Sequence, residues 1–104
     1  MAKVIWKYPI SGYACQFKVP VGAHALHVGL QDDAIMVWML VDDGPALEPK
    51  EVAEFYTIAT GEPMLQQEGF LMHYIGTVHP ERFVFHVFRK LPLPKGVSVP
   101  LGGK

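Results

Sequence analysis

Ala34-Ile-Met-Val-Trp-Met-Leu-Val-Asp42 is apolar up to its last residue and contains neither glycine nor proline. It is too short to cross a bilayer as a helix, which takes about 20 apolar residues. Its β-branched and aromatic content predicts a strand buried on both faces. In the stretch before it, Leu26, Val28 and Leu30 alternate with Ala25, His27 and Gly29. That period of two predicts a second strand. Gln31-Asp-Asp-Ala34 joins the two, with Asp32-Asp33 as a two-residue hairpin turn. A turn of that length fixes the register. Leu30 is expected to face Ile35, Val28 to face Val37 and Leu26 to face Met39, making one dry face. The other face then pairs Gly29 with Met36, His27 with Trp38 and Ala25 with Leu40.

Working outward, Val4, Trp6 and Tyr8 alternate with polar and apolar neighbours, and so do Cys15, Phe17 and Val19. Both stretches read as strands. Pro9-Ile-Ser-Gly12 ends the first, and Pro20-Val-Gly-Ala23 turns the chain after the second. Beyond the hairpin, Asp42 to Lys50 reads as a loop with two prolines and a glycine. A strand is expected over 53–59, with at most a turn or two of helix near 46–54. Thr60-Gly-Glu-Pro63 is a sharp turn, and 64–69 reads as irregular. Residues 71–79 and 83–90 form a last hairpin, turning at His79-Pro80-Glu81-Arg82. Its register would set Val78 against Phe83, Gly76 against Phe85 and Tyr74 against Val87. Phe85 would then cover the gap at Gly76. The reading is an all-β domain over 1–90, a six- to seven-stranded antiparallel sandwich or small barrel with little helix. Residues 91–104, rich in proline and glycine, read as a tail outside any central strand.

Composition narrows the function classes. The 104 residues are half apolar, which suits one globular domain. Nine basic and ten acidic residues give a net charge of −1 with no block of one sign. That excludes the electrostatic footprint of a duplex nucleic-acid or anionic-membrane binder. Cys15 is the only cysteine, so there is no intrachain disulfide and no thiolate zinc site. Met1 to Tyr8 lacks a signal-peptide core, and no stretch reads as a membrane span, so a cytoplasmic location is expected.

No phosphate-binding loop, dinucleotide fingerprint, nucleophile elbow or zinc-protease motif occurs. Asp32-Asp33 and Asp42-Asp43 lie at strand ends, where acidic turn residues are ordinary. His24 and His27 are expected on opposite faces of their strand, and His73 and His86 on one shared face. Two imidazoles without a third ligand make a poor metal site, so no metal and no cofactor are expected. The candidate binding residues are His27, Met36 and Trp38 on the second face of the first hairpin, Thr60 and Gly61 in the sharp turn, and His86. Gly61 would let backbone N–H groups approach an anion, and Thr60 would add a hydroxyl. Phe55 to Ala59 carries no gatekeeping charge, and as an edge strand it would favour a homo-oligomer.

Six segments occur in a fixed order: Trp6-Lys-Tyr-Pro9, Val19-Pro-Val-Gly-Ala23, Val37-Trp-Met-Leu-Val-Asp42, Thr60-Gly61, Tyr74-Ile-Gly-Thr-Val78 and Phe83-Val-Phe-His-Val-Phe88. Together, over about residues 3 to 89, they resemble a small phage and prophage protein family of unknown function, DUF7352-like. The family pattern has a histidine after the threonine–glycine pair, where this chain has Glu62, and the extension after Arg89 departs from it. The resemblance implies a phage-encoded accessory protein and supplies no activity, cofactor or catalytic residue. The expected function is a non-enzymatic binding module in the host cytoplasm. It would act on a host component such as an antiviral defence system, by binding a host protein or a small nucleotide signal. A virion structural or assembly protein is the alternative, and a small enzyme of unknown reaction the second.

Overall fold

The structure is a computed structural model describing residues 2–42, 50–64 and 68–93. Seven strands follow one another: β1 (Lys3–Pro9), β2 (Ala14–Pro20), β3 (His24–Gln31), β4 (Ala34–Asp42), β5 (Lys50–Ala59), β6 (Phe70–Val78) and β7 (Phe85–Pro92). All pairings are antiparallel. They form two sheets, one of order β1-β4-β3 and one of order β2-β5-β7-β6, so the fold is a sandwich and not a closed barrel. Among the described residues there is no helix, and none is long and apolar enough to cross a membrane.

The β3–β4 hairpin turns at Asp32 and Asp33, whose φ angles of 52° and 66° belong to the mirror-image turn that matches strand twist. Aspartate tolerates that left-handed conformation better than most residues. Leu30 faces Ile35, Val28 faces Val37, Gly29 faces Met36 and His27 faces Trp38, as the turn requires. Further from the turn the register slips. A bulge at Leu26 sets Ala25 against Met39 and His24 against Leu40. Leu26, expected on the dry face, is instead exposed. β4 itself is fully buried on one face only. Val37, Met39 and Val41 have almost no exposure, while Met36, Trp38 and Leu40 are half-buried.

The core lies between the sheets. Val28, Val37, Met39 and Val41 from one side meet Val19, Ala53, Phe55, Val78 and Val87 from the other. Tyr8 stacks on Phe17 at 4.5 Å, and Phe17 on Phe55 at 5.4 Å, so one aromatic column ties β1, β2 and β5 together. Burial pushes the Tyr8 phenol above its usual pKa. Cys15 packs against the same core, as a small hydrophobe would. One charge is also buried there. Arg89 of β7 donates from Nη1 to the Ala23 carbonyl at 2.8 Å and lies 3.7 Å from Glu51, with its guanidinium over the Phe55 ring.

Further expectations change. β5 begins at Lys50, so 50–54 is strand and not helix; residues 46–49 lie outside the described set. β5 is also interior, between β2 and β7, so Phe55 to Ala59 is not a sheet edge. The edges are β1, β3, β2 and β6. Near its turn the last hairpin is two residues out of the expected register, with Val78 against Phe85 and Gly76 against Val87. Past the bulge at Ile75 it is one residue out, with Tyr74 against Phe88 and not Val87. The tight turn falls one residue later than expected, closed by Phe83 N–H donating to the Pro80 carbonyl with Glu81 at φ 52°. The Val84 carbonyl accepts from Thr60 N–H, which takes that end of the chain out of the β6 ladder. β7 in turn runs to Pro92, two residues into the expected tail. Pro92 pairs only with Phe70 of β6, past the last β5 partner, where a missing N–H is tolerated. Residues 94–104 lie outside the described set.

Gly76 is not covered by Phe85. A Cβ built on it would stand 2.7 Å from Cγ1 of Val28 on the opposite sheet. The two sheets therefore touch where β6 carries no side chain. Gly76→Ala is expected to cost about 1–3 kcal/mol in urea denaturation. Adding Val28→Ala should recover part of that loss, and a neutral single substitution would refute the contact.

At one end of the three-stranded sheet, Lys3 Nζ bonds Asp42 Oδ1 at 2.6 Å across β1 and β4. That bond, with the lysine's charge, holds the Asp42 carboxyl below its usual pKa. Its contribution to folding is therefore present above the ordinary carboxylate range and fades as acid protonates the group. An NMR titration of Lys3→Ala should move the Asp42 midpoint upward, and an unchanged midpoint would rule out the pairing in solution.

Candidate functional site

The candidate residues separate onto two faces. On the outer face of the three-stranded sheet, Met36, Trp38 and Leu40 run down the central strand, because they alternate with the core residues Val37, Met39 and Val41. Ile5 and Lys7 flank the row from β1, and His24 and His27 flank it from β3. The His27 and Trp38 rings lie 5.7 Å apart and lean over Gly29, whose absent side chain leaves them room. Lys7 reaches from beside Trp38 to the Gln31 side chain.

The Leu26 bulge changes the histidine geometry on this face. A residue left out of the ladder reverses the parity of what precedes it. His24 pairs with Leu40 and His27 with Trp38, so both lie on the outer face, not on opposite faces as expected. The second bulge, at Ile75, does the reverse. His73 pairs with Arg89 on the inner side and His86 with Thr77 on the outer side, so the expected shared face is lost. Among the described residues no group of three or more His, Cys, Asp or Glu side chains is placed to hold a metal ion.

Thr60 and His86 meet on the outer face of the four-stranded sheet. Thr60 Oγ1 lies 2.7 Å from His86 Nε2, and His86 Nδ1 lies 3.0 Å from Thr77 Oγ1. Thr77 Oγ1 is in turn 2.5 Å from the Tyr74 hydroxyl. Beside this chain, Tyr74 sits edge-on to Phe88, and Tyr56 edge-on to Tyr13. Gly61 has φ 95° and open space above its Cα, as a tight turn after β5 requires. Glu62 closes that turn: its carboxylate accepts from Ala59 N–H at 2.7 Å, and its own N–H donates to the Ala59 carbonyl.

Reading the sequence did not reveal a third feature. A cleft of about 280 Å³ opens at one end of the sandwich, lined by Ile10, Tyr13, Ile35, Thr57, Glu62 and Phe85. Its residues come from five separate segments, so no local spacing could have announced it.

The family model described as Domain of unknown function (DUF7352) matches residues 1–95, from the chain start through β7. The chain belongs to the DUF7352 family. The match runs beyond Arg89, where the sequence had suggested a departure, and β7 continues there too. No curated protein and no solved structure matches significantly. Membership in DUF7352 therefore brings no reaction with it, and any function must be argued from the residues themselves. One consequence of the Thr60–His86–Thr77 chain can be measured directly. Thr60→Val and Thr77→Val should each cost about 0.5–1.5 kcal/mol in urea denaturation. Because both hydroxyls hold one imidazole, the double variant should cost less than the sum. Strict additivity would mean that the three residues do not act as a unit.

Proposed function

We propose that this chain is a phage-encoded accessory binding protein without catalytic activity. It acts in the host cytoplasm on a host component such as an antiviral defence protein. The observation that carries the reading is the outer face of the three-stranded sheet. There Met36, Trp38 and Leu40 form a half-buried apolar row beside Ile5, which is 57% exposed, with His24 and His27 at the margin. A central aromatic anchor with apolar neighbours and a polar rim has the anatomy of a protein-docking surface. The phage setting rests on the ordered motifs of the sequence.

The geometry favours a protein partner over a nucleotide signal. A nucleotide pocket would need Trp38 for stacking together with Thr60 and Gly61 for the phosphate. Trp38 lies on the outer face of one sheet and Thr60 bonds His86 on the outer face of the other, so the core separates them. A second copy of the chain is the other occupant to test on the Trp38 face. Light scattering reads it directly, and a mass near 11.6 kDa at micromolar concentration would leave a foreign partner. Abundance in purified particles would instead support a virion role.

One observation favours the enzyme reading. A hydroxyl at 2.7 Å from an imidazole whose other nitrogen is held by a second hydroxyl has the form of a nucleophile with an oriented base. Ester or nucleotide turnover lost in His86→Ala would establish it.

The decisive variant is Trp38→Ala. A core tryptophan costs about 3–5 kcal/mol when truncated. A half-buried one on this face should cost no more than about 2 kcal/mol of folding stability and yet lose at least about 2 kcal/mol of partner binding. Lys18→Ala, on the outer face of the opposite sheet, should leave binding unchanged. A collapsed denaturation midpoint with unaltered affinity in the folded fraction would make Trp38 a plain packing residue.

A further inference from the structure

The cleft at the end of the sandwich is independent of the Trp38 face, and its chemistry points to a different kind of ligand. It is preformed. Ile10 N–H donates to the Ile35 carbonyl at 2.9 Å, and Thr57 N–H donates to the Tyr13 carbonyl at 2.9 Å, so the connection between β1 and β2 is tied to both sheets. Ile10, Ile35 and Phe85 make the walls apolar. Two polar side chains interrupt them. Glu62 stands exposed in the lining, its carboxylate fixed by the bond from Ala59 N–H. That bond takes one of the roughly four acceptor positions a carboxylate offers. Thr57 also lines the cleft, and its Oγ1 is buried with no hydrogen-bond partner. A buried hydroxyl without a partner is costly, and valine would fill the same strand position without that cost.

We propose that this cleft binds a small organic cation, a protonated amine carried on a single apolar ring. Among the described residues Glu62 is the only acidic or basic side chain in the lining. A phosphate or carboxylate would therefore meet like charge with nothing to offset it, whereas an ammonium would be paired. The apolar walls suit a flat ring, and the Glu62 carboxylate is the polar partner at its rim. The volume, about 280 Å³, sits at the lower edge of small-molecule sites, which run from about 300 to 1,000 Å³. One ring with a short aminoalkyl chain fits that size. This assignment reverses the anion expected at Thr60-Gly61: the turn presents a carboxylate to the cleft, and the Thr60 hydroxyl is engaged by His86.

The test is an amide NMR titration of the full chain with 2-phenylethylamine, 2-phenylethanol and phenylacetate at neutral pH. The amine should give saturable shifts centred on Gly12, Tyr13, Thr57 and Glu62. The alcohol and the acid should bind at least about tenfold more weakly, a difference of about 1.4 kcal/mol. Glu62→Gln keeps an acceptor for Ala59 N–H and should remove that preference for the amine. Thr57→Val should raise the melting temperature of the free protein and leave amine selectivity unchanged, since its hydroxyl is buried. Equal binding of amine and alcohol by the unaltered chain would overturn the proposal without relying on any variant. So would amine shifts confined to another surface, no saturable shift at millimolar amine, or undiminished selectivity in Glu62→Gln.

Discussion

All seven strands must turn one side toward a single dry interior, and the rest of the molecule is arranged around that demand. The side-chain period of a strand is two, so whatever sits next to a core residue is driven outward. Val37, Met39 and Val41 are sealed inside. Met36, Trp38 and Leu40 are therefore outside, and the largest apolar surface of β4 is left for something else to cover. The same alternation on β7 buries Val87 and turns His86 out toward Thr60 and Thr77. The exposed chemistry of both faces is a by-product of how the core is filled.

Alternation and turn chemistry were the legible part of the fold. Asp32-Asp33 announced its turn, and the four expected pairs nearest to it, from Leu30 with Ile35 to His27 with Trp38, followed. Legibility stopped at the bulges. One residue looped out at Leu26 and another at Ile75 reversed the parity beyond them, bringing His24 and His27 together and parting His73 from His86. The Leu26 bulge carries no glycine or proline to mark it, and at Ile75 the adjacent Gly76 is the one local sign. A leucine and an isoleucine look like ordinary strand residues, and only the packing of the opposite sheet decides that they leave the ladder. Helix propensity at 50–54 was outweighed in the same way, by β2, which supplies backbone partners along the whole stretch, with β7 joining at Glu54.

The candidate site was legible in fragments. His27 and Trp38 are neighbours, as the turn register required, whereas the contact between Thr60 and His86 emerged only from the structure. The placement of the two pairs on opposite faces was hidden because no turn links the two sheets directly at those residues. Nothing in the sequence singles out Thr57, and Glu62 stands out only as a departure from the family pattern and not as a lining residue. A threonine in a strand and a glutamate after a glycine are common, and what distinguishes them is an unpartnered hydroxyl and a shared cleft. The buried Arg89 is a similar case: only the structure brings it to the Ala23 carbonyl and the Phe55 ring.

The pairing order of the sheets also bears on how the chain reaches this state. β3 with β4 and β6 with β7 are neighbours in sequence and can zip from their turns. β1 must find β4 and β2 must find β5 across long stretches of chain, as Tyr8 with Val37 and Cys15 with Phe55 illustrate. Loop closure has to precede the reward of those contacts. A domain dominated by such distant pairings folds in roughly milliseconds to seconds. In the interval, the two hairpins would exist with the inner row of β4 still open to water, so the rate at which β1 and β2 arrive governs how long the unassembled sheets remain prone to aggregate.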